Sequence, residues 1–179
     1  MKRAQLGTTV FTAAQISQMV ARVATEIQQD YADQISEVIF VGVMKGAYLW
    51  MGDLLRAIGG DVQMDYLRVG SYLNDGSTGE VTLLDDLRLD VTGKTVILLD
   101  EVIDSGLTLL WLKELLQARG AEAVKIAVAF DKRQTQQVAF PVDYIGASAP
   151  NDFLVGYGMD YNDHFRNLSY IATLDLVEV

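Results

Sequence analysis

The sequence predicts an α/β fold in which a mostly parallel, twisted sheet is flanked by helices. Two observations support this class. Short apolar runs rich in β-branched residues alternate with segments of helical periodicity from about residue 12 to Phe130. The run at residues 96–99 is apolar at every position, which is typical of a strand covered by helices on both faces. Shorter strand-like segments follow Phe130 and are appended at the C-terminus.

The helices and strands are predicted in order along the chain. Thr12 and Gln15 precede apolar residues at helical spacing, which predicts a helix with a capping box that ends near Asp30. Similar spacing predicts helices from about 47 to 58 and from about 107 to 119, the second stopped by Gly120. The predicted strands are 38–43, 61–69, 81–84, 96–99 and 124–130, with shorter ones at 142–145, 153–157 and 170–176.

Residues 70–80 form a long connection between two of the predicted strands. They contain three glycines and a run of small polar residues, and they exceed the length of a simple hairpin turn. Composition leaves two interpretations open, a disordered tip and an active-site lid.

Composition limits the classes of protein that the chain can be. Half of the 179 residues are apolar and only two are prolines, which predicts one compact domain over residues 1–179. The absence of cysteine excludes disulfides and thiolate zinc sites. No apolar stretch has the length of a membrane span, and no apolar signal core follows the first charged residues. We therefore expect a cytoplasmic protein without a membrane partner.

The formal net charge of −10 argues against broad binding to nucleic acid. An acidic protein can still hold a polyphosphate through backbone N–H groups, a few lysines or arginines and a divalent cation. A phosphate site in this chain is therefore expected to be local and assisted by magnesium.

The strand at 96–99 ends in a cluster of polar residues. Asp100, Glu101 and Asp104 bring three carboxylates to its carboxyl end, in what is expected to be an acid-rich turn. Residues 104–108, Asp-Ser-Gly-Leu-Thr, then precede a helix. Ligands of open α/β sheets bind at this position, and a helix N-terminus favours an anion such as phosphate. The alternative is that Asp104 only caps the helix, since capping by Asp is common.

Two other turns carry charged residues after a strand. Lys45 lies in the glycine-flanked segment 42–46, although a solvated surface lysine is an alternative there. Asp160 follows the strand-like segment 153–157 and could contribute to a site for a hard cation, while solvated loop acids are the default. The chain has neither a P-loop motif nor a Gly-x-Gly-x-x-Gly motif, and its single histidine, His164, provides no common zinc or Ser-His-Asp site.

Taken together, these segments resemble the purine phosphoribosyltransferases of the hypoxanthine-guanine type. Residues 100–108 look like the family's signature for 5-phosphoribosyl-1-pyrophosphate, and 42–46 look like its pyrophosphate loop. Ser71 and Tyr72 resemble the dyad of its mobile lid. Residues 131–133, Asp-Lys-Arg, are similar to its purine-contacting lysine segment, and 153–166 resemble its purine-stacking and metal-binding segment.

The resemblance implies a fold and a reaction. The fold would be of the type I phosphoribosyltransferase class, with a small hood formed by N- and C-terminal elements and a mobile lid at about 70–80. The reaction would be a step of purine salvage. A phosphoribosyl group is transferred from 5-phosphoribosyl-1-pyrophosphate to N9 of hypoxanthine or guanine, giving IMP or GMP and pyrophosphate, with Mg²⁺ as the cofactor.

The same resemblance assigns roles around the sugar phosphate. The donor's 5′-phosphate would be held by backbone N–H groups and hydroxyls of Asp104, Ser105, Gly106, Leu107 and Thr108. Asp104 would also be the general base or acid near N7 of the purine.

Further roles concern the ribose, the leaving group and the metal. Asp100 and Glu101 would accept hydrogen bonds from the ribose hydroxyls. The pyrophosphate would be bound by Met44, Lys45, Gly46 and Arg166. The metal ligands would be Asp160, Asp100 and Glu101.

The remaining roles concern the base. Lys132 would donate to the 6-oxo group, which disfavours adenine. Phe153 would stack on the ring, with Tyr157 as a less favoured alternative, and the main-chain carbonyl of Leu154 would accept from the purine edge.

Two other functions remain open at this stage. One is a regulatory protein of the same fold that binds the donor or a nucleotide without turnover. The other is the same enzyme with a preference for xanthine. The family commonly forms homodimers or homotetramers, which we expect here, with small-molecule substrates as the other partners.

Overall fold

The computed structural model describes residues 2–72, 80–132 and 141–178. The strands in this part of the chain are β1 (Lys2–Phe11), β2 (Ile39–Met44), β3 (Gln63–Tyr72), β4 (Glu80–Asp85), β5 (Thr95–Ile103), β6 (Ala123–Asp131), β7 (Tyr144–Ser148), β8 (Leu154–Val155) and β9 (Ile171–Glu178). The helices are α1 (Ala13–Tyr31), α2 (Tyr48–Ile58) and α3 (Leu107–Ala118), and a 3₁₀ helix spans Ala32–Glu37. None of these helices is long and apolar enough to span a membrane.

The central sheet has the strand order β4-β3-β2-β5-β6-β7 and is parallel except for β4, which confirms the predicted class. Side chains of the inner strands alternate between two buried faces. On β5, Ile97 packs in the core that includes α1 and α2, and Leu98 packs in the core that includes α3. Because both faces are covered, the inner strands are apolar at nearly every position.

Chain connectivity creates a crevice between β2 and β5. The chain passes from β2 through α2 to β3 on one side, and from β5 through α3 to β6 on the other, so the strand order reverses between β2 and β5. In open α/β sheets, ligands bind outside the carboxyl ends of the strands at such a point.

A second, antiparallel sheet with the order β1-β9-β8 forms the hood that the resemblance implies. We use "hood" for these three strands and for residues 156–170, which connect β8 to β9. Strand β1 was not predicted, because polar and apolar residues alternate only over residues 3–6 and the pattern stops at Gly7, Thr8 and Thr9. The 3₁₀ helix was also not predicted.

The predicted capping box of α1 is present. The Thr12 hydroxyl accepts from the backbone N–H of Gln15 at 3.3 Å, and the Gln15 side chain accepts from the backbone N–H of Thr12 at 2.9 Å. The predicted turn after Leu99 is wrong, because β5 continues to Ile103 and pairs with β6 up to Asp131. Asp100 and Glu101 are therefore strand residues.

The predicted loop at 70–80 is shorter than expected. Gly70, Ser71 and Tyr72 continue β3 and pair with Thr82, Val81 and Glu80 of β4. Residues 73–79 of the predicted lid lie outside the described residues, and so does Arg133 of the predicted purine segment.

Candidate active site

A cavity of about 490 Å³ lies at the carboxyl ends of β2 and β5, where the strand order reverses. Its lining comes from four parts of the chain, which are the end of β2 with the β2–α2 turn, the edge formed by β3 and β4, the end of β5 with the start of α3, and the hood. The predicted site residues among those that line it are Met44, Lys45, Gly46, Asp100, Glu101, Asp104, Ser105, Gly106, Thr108, Asp160 and Arg166.

The turn between β5 and α3 leaves the helix N-terminus without a side-chain cap. Gly106 is the N-cap residue with a φ of 80°, and no side chain accepts a hydrogen bond there as a cap. Asp104 precedes the cap and its side chain is exposed, so the capping alternative for this residue is wrong. The start of α3 therefore lines the cavity at Gly106, Thr108 and Leu109 without a side-chain cap, as an anion site requires.

Two other members of this segment differ in environment. The Ser105 hydroxyl lies 3.4 Å from the backbone nitrogen of Leu107, which makes at most a weak hydrogen bond. Leu107 begins the helix with its side chain 55% exposed, so only its backbone suits a role in phosphate binding.

Asp100 and Glu101 form a pair of adjacent carboxylates on β5. The Asp100 carboxylate accepts from the backbone N–H of Glu101 at 3.0 Å. Desolvation raises the pKa of Asp100 well above its ordinary value, and repulsion from Glu101 adds to the increase. A cation or hydroxyl donors placed beside Asp100 would stabilise its ionised form and so offset the cost of desolvation.

The hood contacts the central sheet next to Glu101. A Cβ atom on Gly46 would lie 1.9 Å from Glu101 Oε1, and a Cβ atom on Gly158 would lie 2.0 Å from the carbonyl oxygen of Gly46. Gly158 also has a φ of 101°, which side-chain-bearing residues rarely adopt. A side chain on Gly158 would meet backbone, so the contact between hood and sheet requires glycine there, whereas one on Gly46 would have to displace the end of the Glu101 side chain.

The two predicted pyrophosphate cations meet at the boundary of the hood. Lys45 Nζ lies 2.7 Å from Asp163 Oδ1, and Arg166 Nη2 lies 3.3 Å from the same oxygen. The peptide bond between Met44 and Lys45 is cis. The Lys45 interaction, followed by that of Arg166, lowers the pKa of Asp163 below its ordinary value.

Arg166 is held by two further contacts within the hood. Its Nη2 lies 2.7 Å from Asp160 Oδ1, and its Nη1 donates to the carbonyl of Gly158 at 2.7 Å. Its Nε is buried and has no hydrogen-bond partner in the described part of the chain. An unpaired buried donor of this kind is unfavourable.

The predicted metal ligands are not gathered into one cluster. Asp160 pairs with Arg166 and also accepts from the backbone N–H of Asp163 at 2.7 Å. Within residues 2–72, 80–132 and 141–178, no group of three or more acidic, His or Cys residues could hold a metal ion. Asp160, Asp100 and Glu101 nevertheless line one cavity, and their assignment as metal ligands stays a prediction.

The predicted base-binding residues differ in exposure. Phe153 is 55% exposed and contacts the Tyr161 ring edge to face, with centroids 5.9 Å apart. Tyr157 is 3% exposed, and its hydroxyl donates to Asp53 Oδ2 at 2.9 Å. Tyr157 is thus part of the core, and only Phe153 is free to stack on a ligand.

The other two base-binding candidates, Leu154 and Lys132, are positioned by backbone hydrogen bonds. The carbonyl of Phe153 accepts a hydrogen bond from the backbone N–H of Leu174 on β9. In an antiparallel pair, hydrogen-bonded positions alternate with positions that are not hydrogen-bonded. The carbonyl of the next residue, Leu154, therefore points away from β9. Lys132 follows β6, half-buried, and its backbone N–H donates to the carbonyl of Ile103 at the end of β5. Ser71 and Tyr72, the predicted lid dyad, end β3.

Sequence reasoning missed the role of Asp163 as the partner of both cations. It recognised only that the acids of this segment could bind a hard cation. The available signal was the spacing of three residues from Asp160 and from Arg166, but the link to Lys45 spans 118 positions and leaves no local pattern.

Comparisons with known proteins agree with this geometry. Residues 8–162 match the model of the phosphoribosyl transferase domain family. Hypoxanthine-guanine phosphoribosyltransferase of Mycobacterium avium is 37% identical over 171 residues, covering 93% of this chain and 84% of the relative. Hypoxanthine phosphoribosyltransferase of Escherichia coli is 35% identical over 166 residues, covering 92% and 93%.

Solved structures show the same similarity. The crystal structure of a hypoxanthine-guanine phosphoribosyltransferase from Bacillus anthracis matches with a TM-score of 0.88 at 32% identity, covering 97% of this chain and 100% of that one. The type I fold expected from the resemblance is confirmed. Since the family model and these relatives each match most of the sequence, the chain belongs to the phosphoribosyl transferase family.

Proposed function

We propose that this protein is a hypoxanthine-guanine phosphoribosyltransferase of purine salvage. It transfers the phosphoribosyl group of 5-phosphoribosyl-1-pyrophosphate to N9 of hypoxanthine or guanine, giving IMP or GMP and pyrophosphate. One observation carries the proposal. A single cavity combines an uncapped helix N-terminus, two carboxylates on β5, Lys45 of the β2–α2 turn and Arg166 of the hood. This chain covers 84% and 93% of the length of the two relatives that carry these enzyme names.

The α3 N-terminus binds the 5′-phosphate in this proposal. Backbone N–H groups between Asp104 and Thr108, together with the hydroxyls of Ser105 and Thr108, supply donors, and the helix dipole favours the negative charge. Asp100 and Glu101, acceptors when ionised, bind the 2′- and 3′-hydroxyls.

The leaving pyrophosphate is bound on the other side of the cavity. Lys45 and Arg166 stabilise the negative charge that develops on it as the bond to C1′ breaks. Backbone groups of Met44 and Gly46 complete this side.

The acidic residues of the cavity fit magnesium when substrate oxygens complete its coordination. Magnesium is commonly held by one or two carboxylates together with substrate phosphates and water, and the cavity supplies oxygen donors from Asp160, Asp100 and Glu101. The bound ion would neutralise charge on the pyrophosphate.

The purine lies between the hood and the end of β6. Phe153 stacks on its ring, the Leu154 carbonyl accepts from its edge and Lys132 donates to the 6-oxo group. A lysine donor distinguishes oxopurines from adenine, whose amino group is not an acceptor. Asp104 accepts or donates the proton at N7, which requires that it lie within hydrogen-bond reach of the base.

We also propose that the active form is a homodimer or homotetramer. Tyr48, Met64 and Tyr66 are between 40% and 50% exposed, and an apolar surface of this kind suits a second copy of the chain. Light scattering coupled to size exclusion tests this, and a monomer at assay concentration would contradict it.

The test of function is a panel of four bases, namely hypoxanthine, guanine, xanthine and adenine, with the donor and magnesium. We expect turnover of hypoxanthine and guanine far faster than turnover of adenine. Fast turnover of xanthine alone would establish the xanthine alternative. Lack of turnover with every base, together with tight binding of donor or nucleotide, would establish the regulatory alternative.

A further inference from the structure

The two pyrophosphate-binding cations both contact a carboxylate that has no part in the reaction outlined above. One oxygen of Asp163 lies between Lys45 Nζ at 2.7 Å and Arg166 Nη2 at 3.3 Å. A single oxygen that bridges a lysine and an arginine resembles a phosphate oxygen in its contacts. Asp163 therefore makes the contacts to Lys45 and Arg166 that we assign to an oxygen of the leaving pyrophosphate.

The position of Asp163 allows it to be displaced. Its side chain is 67% exposed, so a released carboxylate returns to water at little cost in solvation. Its backbone has a φ of 62°, and its N–H donates to Asp160 Oδ2 at 2.7 Å. This backbone contact can hold the segment in place whether or not the side chain contacts the cations.

The cations lie on the boundary between two cavities. Lys45 and Arg166 line the 490 Å³ cavity, and both also line a neighbouring cavity of about 550 Å³ to which Asp163 contributes. Asp163 lines only the second one, so its carboxylate attracts the lysine away from the cavity assigned to the donor. Arg166 is additionally fixed by Asp160 and Gly158, so Lys45 is the cation that is free to move.

We propose that Asp163 is an internal competitor for pyrophosphate, and that its carboxylate sets the affinity of the enzyme for the donor and for the released product. The inference rests on the proposed function for the identity of the anion. Binding of the pyrophosphate group replaces the Asp163 carboxylate on Lys45 and Arg166. On release the carboxylate returns, which limits retention of the product.

Calorimetric titration with inorganic pyrophosphate, with and without magnesium, tests this in Asp163→Asn. We expect the Kd for pyrophosphate to fall by about threefold to tenfold, as for loss of an exposed ion pair with two cations. The KM for the donor should fall as well, while kcat stays the same or decreases because product leaves more slowly. Asp163→Glu, which keeps the charge, should return the Kd toward that of the original protein.

Two further variants make the result decisive. Asp163→Gly removes the carboxylate at a φ that glycine adopts without strain, so it should fold and show the same tighter binding. Asp33→Asn changes the net charge equally, in the exposed 3₁₀ helix, and should leave the Kd unchanged. Tighter binding cannot be attributed to structural damage, because damage weakens binding. Unchanged or weaker binding in both the Asn and Gly variants would overturn the proposal.

The outcome is independent of the base panel. If no purine is turned over, the proposed function fails, but the pyrophosphate titration still decides whether Asp163 competes for the cations. If purines are turned over and the titration shows no tightening, only the role of Asp163 fails.

Discussion

The two sides of the cavity are built in different ways. On the sheet side, residues 100–108 follow one another along β5 and into α3, and the β5–β6 ladder and the helix hold them. On the hood side, residues 153–166 are largely irregular, with positive φ at Tyr157, Asn162, Asp163 and Phe165. Ion pairs and single backbone contacts hold this side. We infer that the sheet side carries the chemical step and binds the ribose 5′-phosphate, and that the hood side contributes to binding of the pyrophosphate and the base.

The largest effect is expected on the sheet side. Asp104→Asn keeps the size of the side chain but removes the proton acceptor, so we expect kcat to fall by about 10²- to 10⁴-fold. The KM for the donor should change little. Steady-state kinetics measures both constants, and Asp33→Asn is the control. An unchanged kcat would refute the acid–base role and with it the assignment of chemistry to this side.

The next effect concerns the hood side. Arg166→Lys keeps one positive charge but cannot contact Asp160, Asp163 and the Gly158 carbonyl together. We expect the KM for the donor to rise by about 10- to 100-fold, on the basis of about 1.5–3 kcal/mol for hydrogen bonds to charged groups. The value of kcat should change less than in Asp104→Asn. A larger loss in kcat than in KM would contradict the division between the two sides.

A smaller effect is expected for the stacking residue. Phe153→Ala should raise the KM for hypoxanthine by about 5- to 100-fold, since stacking on an aromatic side chain contributes about 1–3 kcal/mol per base. Tyr157→Phe is the matched control, because it removes only a hydroxyl that donates to Asp53. That variant should lose about 1 kcal/mol of unfolding free energy with an unchanged KM. Equal effects on KM in the two variants would argue against stacking by Phe153.

The smallest effect concerns the end of α3 remote from the cavity. Arg119 forms an ion pair with the exposed Asp86 and lowers its pKa. Because the folded-state pKa is lowered, the pair stabilises the protein above the ordinary pKa of Asp, and this stabilisation is lost as the pH falls through the folded-state value. Arg119→Ala should cost at most about 1 kcal/mol at pH 7.

Urea unfolding of the Arg119 variant and the original protein at pH 7 and at pH 3 measures this difference in stability. The difference should shrink at the lower pH, and kcat should be unchanged at pH 7. A difference that grows on acidification would show that the pair does not act through ionised Asp86.

The two sides also differ in how far the sequence predicted them. The strand, glycine and helix of the sheet side form one continuous pattern, so residues 100–108 were identified before their geometry was known. Even there the boundary was wrong, because the strand continues through Asp100 and Glu101 by pairing with β6, and pairing between distant segments has no local signal. Asp163 was missed for the same reason, since its partner Lys45 is remote in sequence.

The structure distinguishes residues that the sequence could not. Exposure of Phe153 and burial of Tyr157 separate two aromatics that the sequence alone ranked only weakly. Strand β1 belongs to the hood, but its alternation of polar and apolar residues stops after Leu6 and is too short to predict a strand of ten residues.

The contact between Gly46 and Gly158 has a consequence for engineering the substrate range. Gly158 packs against the backbone of Gly46 at this point, and neither glycine has a side chain that could be shortened or lengthened to adjust the separation. We expect that room for larger or differently substituted bases will come only from residues around the base, such as Phe153 and Lys132. Attempts to widen the opening between hood and sheet at these glycines should instead disrupt the pyrophosphate side, because Gly46 adjoins both Lys45 and Glu101.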